Sequence, residues 1–266
     1  MRPDAAEEAV VAWTRHADAR YLAGGTEITT SARRTAAYDL GACIDIKRIP
    51  EANVHETSGG LLRLGAALTL SDIADRNLFP LLSATSRGIA DRTVRNRLTL
   101  GGNLAGMLPY REAALPLLVT DATVLSILPG QNGTVPVRRE RKLRDIFDRR
   151  LVLAPGELVL SFTVPATVAQ WPWQHQRKTR TGAVDYPLLT ACMVRDGKAI
   201  RLAIAGSHPY PFRSDKIDTA LSRNGLAALP AVLGAFGPLR GDARASAEYR
   251  VNLLQNMIRS SLEALA

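Results

Sequence analysis

The chemistry open to this chain lies less in reactive side chains than in bare backbone. Residues 21–28 read "YLAGGTEI": an apolar run stops at Gly24-Gly25, and a hydroxyl and a carboxylate follow, Thr26 and Glu27. Without side chains, consecutive amides can turn inward around an anion, and Thr26 can add a hydroxyl donor. The stretch "TLGGNL" (99–104) repeats the pattern with Thr99, Gly101, Gly102 and Asn103. Either pair alone reads as a plain turn; two of them suit a ligand that carries two phosphates. No lysine follows to make a GxxxxGK[ST] nucleotide loop, and no GxGxxG occurs.

Other chemically capable residues are sparse. Cys43 and Cys192 sit far apart in strand-like runs without CxxC or Cys/His spacing. No structural zinc or iron–sulfur site is therefore expected, and both read as small apolar residues. His16 and His55 fall in a helix and a loop, with surface or capping roles, and His175 reads first as a linker residue. No nucleophile, general base or metal site stands out. The formal charge of +9 raises nucleic-acid binding. That charge is mostly scattered arginine, and its densest run, "VRRERKLRDIFDRR" (137–150), is interspersed with acids and lacks a base-stacking aromatic series. A solvated arginine-rich face is the reading, with docking to an acidic partner subunit as the alternative. No apolar run approaches the roughly 20 residues of a membrane span. The acidic start "MRPDAAEEAV" carries no secretory signal, so a cytoplasmic location is expected.

The elements that must hold the glycine pairs follow from periodicity. Ala6, Val10, Trp13 and Ala17 recur at helical spacing. "ARYLAGG" and "ACIDIKRIP" read as strands on either side of a polar stretch, which makes a β-α-β-like opening to about residue 50. A strand or hairpin at 61–67 precedes a helix capped at Thr69 or Ser71, and another helix covers 78–91. "ATVLSIL" and "GELVLSFTVP" are strands, and "PGQNGT" is a turn. The prolines of "PATVAQWPWQ" put a boundary near 165–172. Beyond it come a hairpin about the turn 195–198, a helix capped by Ser214, and a long helix with Val251, Leu254, Ile258 and Leu262 on one face.

In this order the motifs "YLAGGTEI", "IDIKRIPE", "LRLGAALTLSDI", "VRNRLTLGGNLA", "LPLLVTDATV", "LVLAPGELVLSFTVP", "LAIAGSHPYPFR" and "SAEYRVNLL" run along nearly the whole chain. The chain resembles the FAD-binding medium subunit of the molybdenum hydroxylases, the group of xanthine dehydrogenase and aerobic carbon monoxide dehydrogenase. The resemblance implies an α+β fold: a two-subdomain FAD-binding fold of the vanillyl-alcohol-oxidase (PCMH) type at 1–168, with subdomains of about 1–52 and 53–168. A small α+β C-terminal domain of the carbon monoxide dehydrogenase flavoprotein type would follow at 169–266. It also implies FAD as cofactor, with Leu22, Ala23, Gly24, Gly25, Thr26, Glu27 and Ile28 around the pyrophosphate and Thr99, Gly101, Gly102 and Asn103 closing on it. Glu27 is also readable as a plain helix N-terminal acid. Ile89 would pack near the flavin or adenine, Leu153 beside the isoalloxazine ring, and Lys178, with Arg177 one step off, near the flavin.

At "GMLPYREAALP" the chain departs from the family pattern: Glu112 stands where an aspartate on the adenosine side is expected. Arg111 beside it is either a new pyrophosphate partner or a surface residue. The implied role is electron transfer from iron–sulfur clusters on a partner subunit, through FAD, to NAD, oxygen or a quinone. A molybdenum-cofactor subunit would complete the assembly, with no nucleic acid and no membrane involved. A free-standing flavin oxidase or reductase, or a non-catalytic module of the same fold, are the alternatives. A valine at position 24 is expected to abolish flavin binding in a chain that still folds.

Overall fold

In a computed structural model, which describes residues 1–34, 41–130 and 134–266, the chain opens with the expected β-α-β unit. Strand Arg20–Leu22 pairs in parallel with Cys43–Asp45, Tyr21 facing Ile44, and helix Thr26–Arg34 follows the first strand. Helix Ala6–Arg15 carries Glu7 and Glu8 in its first turn and Arg15 in its last, each sign at the end the helix dipole favours. Its Ala6, Ala9 and Val10 bury against Ile44, Ile46 and Ile49. The centre of the "PGQNGT" turn lies outside the described residues.

A five-stranded antiparallel sheet forms the middle of the molecule. Its order is His55–Ser58, Leu61–Gly65, Leu158–Pro165, Thr123–Leu128, Val137–Lys142. His55 departs from the sequence reading: it begins a strand opposite Leu64 and is buried, so its role is packing and not capping in a loop. Along the central strand the register slips, Leu125 facing Ser161 while Ser126 faces Val159. Leu160 is the extra residue of a bulge, and a bulge exchanges the faces of the strand. Phe162 and Val164 consequently join the main core, whereas Leu158 and Leu160 join the core under the N-terminal unit. One strand thus serves two layers.

Helices Leu70–Arg76, Pro80–Gly88 and Ala114–Val119 cover the main-core face of this sheet. Thr69, of the two candidate caps, closes a capping box with Asp72. The C-terminal part is an antiparallel sheet in sequence order: Trp173–Thr179, Pro187–Asp196, Ala199–Ala205 and Phe212–Arg213. Leu189, Ala191 and Met193 face helices Asp215–Asn224 and Ala247–Ala264, while Cys192 and Val194 face the main core. Period-2 alternation therefore carries the main core across 165–172. Two details differ from the sequence reading. Ser214 occupies the cap position without a side-chain cap bond, and Val251 is turned to solvent while Leu254, Ile258 and Leu262 are buried. Among the described residues no helix is long and apolar enough to cross a membrane.

The seam between the two sheets holds a buried ion pair. Arg177 donates to both oxygens of Glu112, Nε to Oε2 at 2.9 Å and Nη2 to Oε1 at 3.3 Å, and the Thr190 hydroxyl donates to the same carboxylate. His175, two residues earlier on the strand and beside Gly88, shares this seam. Burial, and then the Arg177 charge, push its imidazole down to about 4, and its Nε2 has no hydrogen-bond partner among the described residues. The native ring is therefore neutral while an unfolded chain takes up a proton below about pH 6.5. Stability contributed by this difference is complete above that pH and is lost as pH falls toward 4. His175→Phe removes it: between pH 7.5 and 5 the parent should lose about 2 kcal/mol more unfolding free energy than the variant. Urea midpoints at the two pH values measure this. His55 and His208 shift in the same direction through burial but are common to both proteins.

Candidate functional site

The first glycine pair ends a strand and starts a helix. The Thr29 amide donates to the Gly25 carbonyl at 2.9 Å, which makes Gly25 the cap residue of helix Thr26–Arg34. Its φ of +68° suits glycine alone. A cap serine or aspartate would satisfy the first-turn amides with its own oxygen; glycine cannot. Residues Thr26, Glu27 and Ile28 therefore present amides without intrahelical acceptors, at the positive end of the helix. The Thr26 hydroxyl oxygen is buried and has no hydrogen-bond partner among the described residues. An anion placed at this helix start would meet those amides and that hydroxyl.

The second loop is built differently. Thr99 caps helix Leu100–Ala105 itself, accepting from the Gly102 amide at 3.2 Å. The Leu100 amide goes to Leu68, the Gly101 amide to Ala66 and the Asn103 amide to Thr99. Its glycines serve close packing: a β-carbon on Gly101 would lie 2.7 Å from that of Ala66. The same holds for Gly24, where a β-carbon would meet the Arg97 carbonyl oxygen at 1.7 Å. So the two loops do lie together, but only the first has amides without partners among the described residues. What remains at the second is the Thr99 hydroxyl proton and the Asn103 side-chain amide nitrogen, since Asn103 Oδ1 accepts from Ala113.

Side chains fasten the loops to their surroundings. Glu27 accepts from the Met107 amide at 2.7 Å, tying the first helix to the segment after the second loop. Tyr21 donates to the Gly156 carbonyl at 2.7 Å, so the first strand anchors the turn that follows Leu153. That turn is closed by Glu157, whose side chain accepts from the Ala154 amide. Lys47 donates to the Ala23 carbonyl at 3.1 Å and pairs with Asp45. Tyr21, Lys47 and Arg97 thus shape the first loop. The sequence offered no signal for Lys47 or Arg97, because each acts through contacts more than twenty residues away.

The remaining expected site residues divide. Leu153 is partly buried against the main core, and Ile89 is a core residue that ends helix Pro80–Gly88. Lys178 lies apart from the two loops' packing. Strand alternation turns it outward with Gln176, into an open groove beside Asn256, Arg259 and Ser260 of the long C-terminal helix. Arg177 is the inward residue, and it is already paired. Glu112 directs its oxygens at Arg177 and Thr190 inside the seam and forms a buried ion pair there. Tyr110 stacks on Tyr186 with ring centroids 5.3 Å apart, which fixes the departing segment onto the C-terminal part. Among the described residues no cluster of histidine, cysteine and acid side chains could hold a metal.

Comparison with known proteins agrees with this geometry. Residues 1–167 match the family described as the FAD-binding domain in molybdopterin dehydrogenase. Over 261 residues the chain is 26% identical to the carbon monoxide dehydrogenase medium chain of Hydrogenophaga pseudoflava, covering 93% of this chain and 89% of that one. It is 25% identical to the xanthine dehydrogenase FAD-binding subunit of Escherichia coli O157:H7, with coverages of 93% and 89%. The solved carbon monoxide dehydrogenase from Hydrogenophaga pseudoflava that lacks the Mo-pyranopterin moiety superimposes with a TM-score of 0.84 at 26% identity, over 99% of this chain and 95% of that one. The chain belongs to this family of FAD-binding domains. It is an FAD-dependent oxidoreductase subunit, and its fold is the FAD-binding fold of those medium chains.

The clash at residue 24 overturns the expectation that bulk there spares folding. Gly24→Ala should destabilise the ligand-free chain by about 1–3 kcal/mol or more, because the obstacle is backbone and cannot rotate away. Urea unfolding without any added ligand reads this. A variant as stable as its parent contradicts the packing described.

Proposed function

We propose that this chain is the electron-transfer subunit of a molybdenum hydroxylase and holds FAD by its pyrophosphate on the first glycine loop. The observation that carries the reading is the glycine-capped helix start, with open amides at Thr26, Glu27 and Ile28 and the unpartnered Thr26 hydroxyl. Leu22, Ala23, Gly24 and Gly25 form the wall that lets phosphate approach backbone. Thr99 and Asn103 flank it with one hydroxyl and one side-chain amide, while Gly101 and Gly102 let the second loop pack close. Ile89 and Leu153 supply apolar surface for the ring systems. Residues 1–168 would hold the cofactor, and 169–266 would buttress them through the Glu112–Arg177 seam.

Bound FAD supplies redox chemistry in one- and two-electron steps; the protein supplies binding, orientation and electrostatics. The chain itself then needs no nucleophile or metal, in keeping with its sparse reactive residues. Partners of matching chemistry are an iron–sulfur subunit as electron donor and a molybdenum-cofactor subunit that acts on substrate. NAD or another acceptor would take the electrons. The support is coverage: relatives named as medium chains or FAD-binding subunits match nearly end to end.

The test is flavin uptake by the purified chain. Added FAD should give a yellow protein with flavin absorbance that survives desalting. Thr26→Val should weaken FAD roughly tenfold, the worth of one hydrogen bond to a charged group, without lowering the ligand-free urea midpoint. A colourless parent after incubation with FAD contradicts the reading. Recovery of the tagged chain from its host without iron–sulfur and molybdenum subunits contradicts the assembly.

A further inference from the structure

Arg111 lies between the second loop and helix Ala114–Val119, and it is not a surface residue. It is 5% exposed. Its Nη2 donates to the Arg149 carbonyl, while Nε and Nη1 are buried without a hydrogen-bond partner among the described residues. The guanidinium sits over the Phe147 ring, 5.4 Å from its centroid, so one face of the plane is covered by apolar surface. No carboxylate among the described residues is placed to pair with it. The acid whose charge acts on it is Glu27, in the first turn of the open helix, and one Glu27 oxygen is held by the Met107 amide.

A guanidinium cannot shed its proton, so burial leaves it charged, and an unpaired buried charge is strongly unfavourable. The backbone adds to the cost. Arg111 has φ +31°, in the region side chains resist. A cost of this kind persists where the charge has a task. The unpartnered nitrogens, Nε and Nη1, lie on different edges of the guanidinium, so each offers its own N–H to an oxyanion while Nη2 stays on the Arg149 carbonyl. The helix start beside Glu27 offers only about half a positive charge, whereas a pyrophosphate diester brings two negative ones.

We propose that Arg111 is an anion ligand of the flavin site, its charge and free N–H groups meeting the pyrophosphate that the Thr26 helix start binds from the other side. This rests on the FAD reading above and extends it to a residue outside both glycine loops. Arg111 would also couple the cofactor to the Phe147–Leu151 hairpin through Arg149, and that hairpin leads directly to Leu153.

The full chain, freed of flavin, is titrated with FAD, ADP, inorganic pyrophosphate and riboflavin, as parent and as Arg111→Met. The expected result is FAD and ADP binding weakened roughly 10- to 100-fold, pyrophosphate binding lost and riboflavin binding unchanged. The ligand-free thermal midpoint should stay equal or rise, because a buried charge has been removed. Arg111→Lys, which keeps the charge, should recover part of the FAD affinity. Equal FAD and ADP affinities in parent and Met variant overturn the proposal and leave the flavin reading standing. A parent that binds pyrophosphate through Arg111 but takes no FAD supports the anion site and removes the flavin reading. A lowered ligand-free midpoint in both variants, with FAD affinity of the folded protein unchanged, assigns Arg111 to packing and overturns the proposal.

Discussion

The Arg97 carbonyl oxygen stands 1.7 Å from the point where any β-carbon on residue 24 would be. That contact is backbone against backbone, so neither side can give way by rotating. It brings the strand end of the first loop onto the approach to the second, and it leaves only glycine at position 24. Gly25 then turns through positive φ and caps the helix with no side chain of its own. The open amides at Thr26, Glu27 and Ile28 follow from these two residues together. The rest of the N-terminal unit holds this arrangement in place: Lys47 on the Ala23 carbonyl, Tyr21 on the Gly156 carbonyl, Glu27 on the Met107 amide.

Two loops of nearly the same composition therefore have different physical roles. In the second, Thr99 does what a cap side chain does and closes the helix start. Its Gly101 permits a close approach to Ala66, next to the central sheet. In the first, the hydroxyl comes one residue after the cap and so has no amide of its own turn to accept from. A shift of one position in where the hydroxyl sits separates a closed helix start from one that can receive an anion.

Much of this was legible in the sequence. The β-α-β opening, the hairpin about 195–198 and a helix cap at Thr69 or Ser71 follow from local pattern, because each depends on residues near one another. What the sequence did not show turns on long-range contacts. Arg177 and Lys178 are adjacent in sequence, and only the pairing of their strand decides that Arg177 points inward. Nothing near Glu112 in the sequence points to its partner, 65 residues on. His55 reads as a loop residue until Leu64 pairs with it. The bulge at Leu160, which lets one strand serve two cores, leaves no mark in its apolar run. Local glycine chemistry also could not distinguish the open loop from the closed one, since the Ala66 and Leu68 carbonyls that satisfy the second loop belong to another segment.

The central claim is that phosphate meets the first loop's amides. Hydrogen–deuterium exchange of the full chain, with and without saturating FAD, reads those amides directly. The account predicts strong slowing at Thr26, Glu27 and Ile28 on FAD addition, with little change at Leu100 to Asn103, whose amides are already bonded within the chain. FAD bound at saturation with unchanged exchange at Thr26 to Ile28 would contradict it.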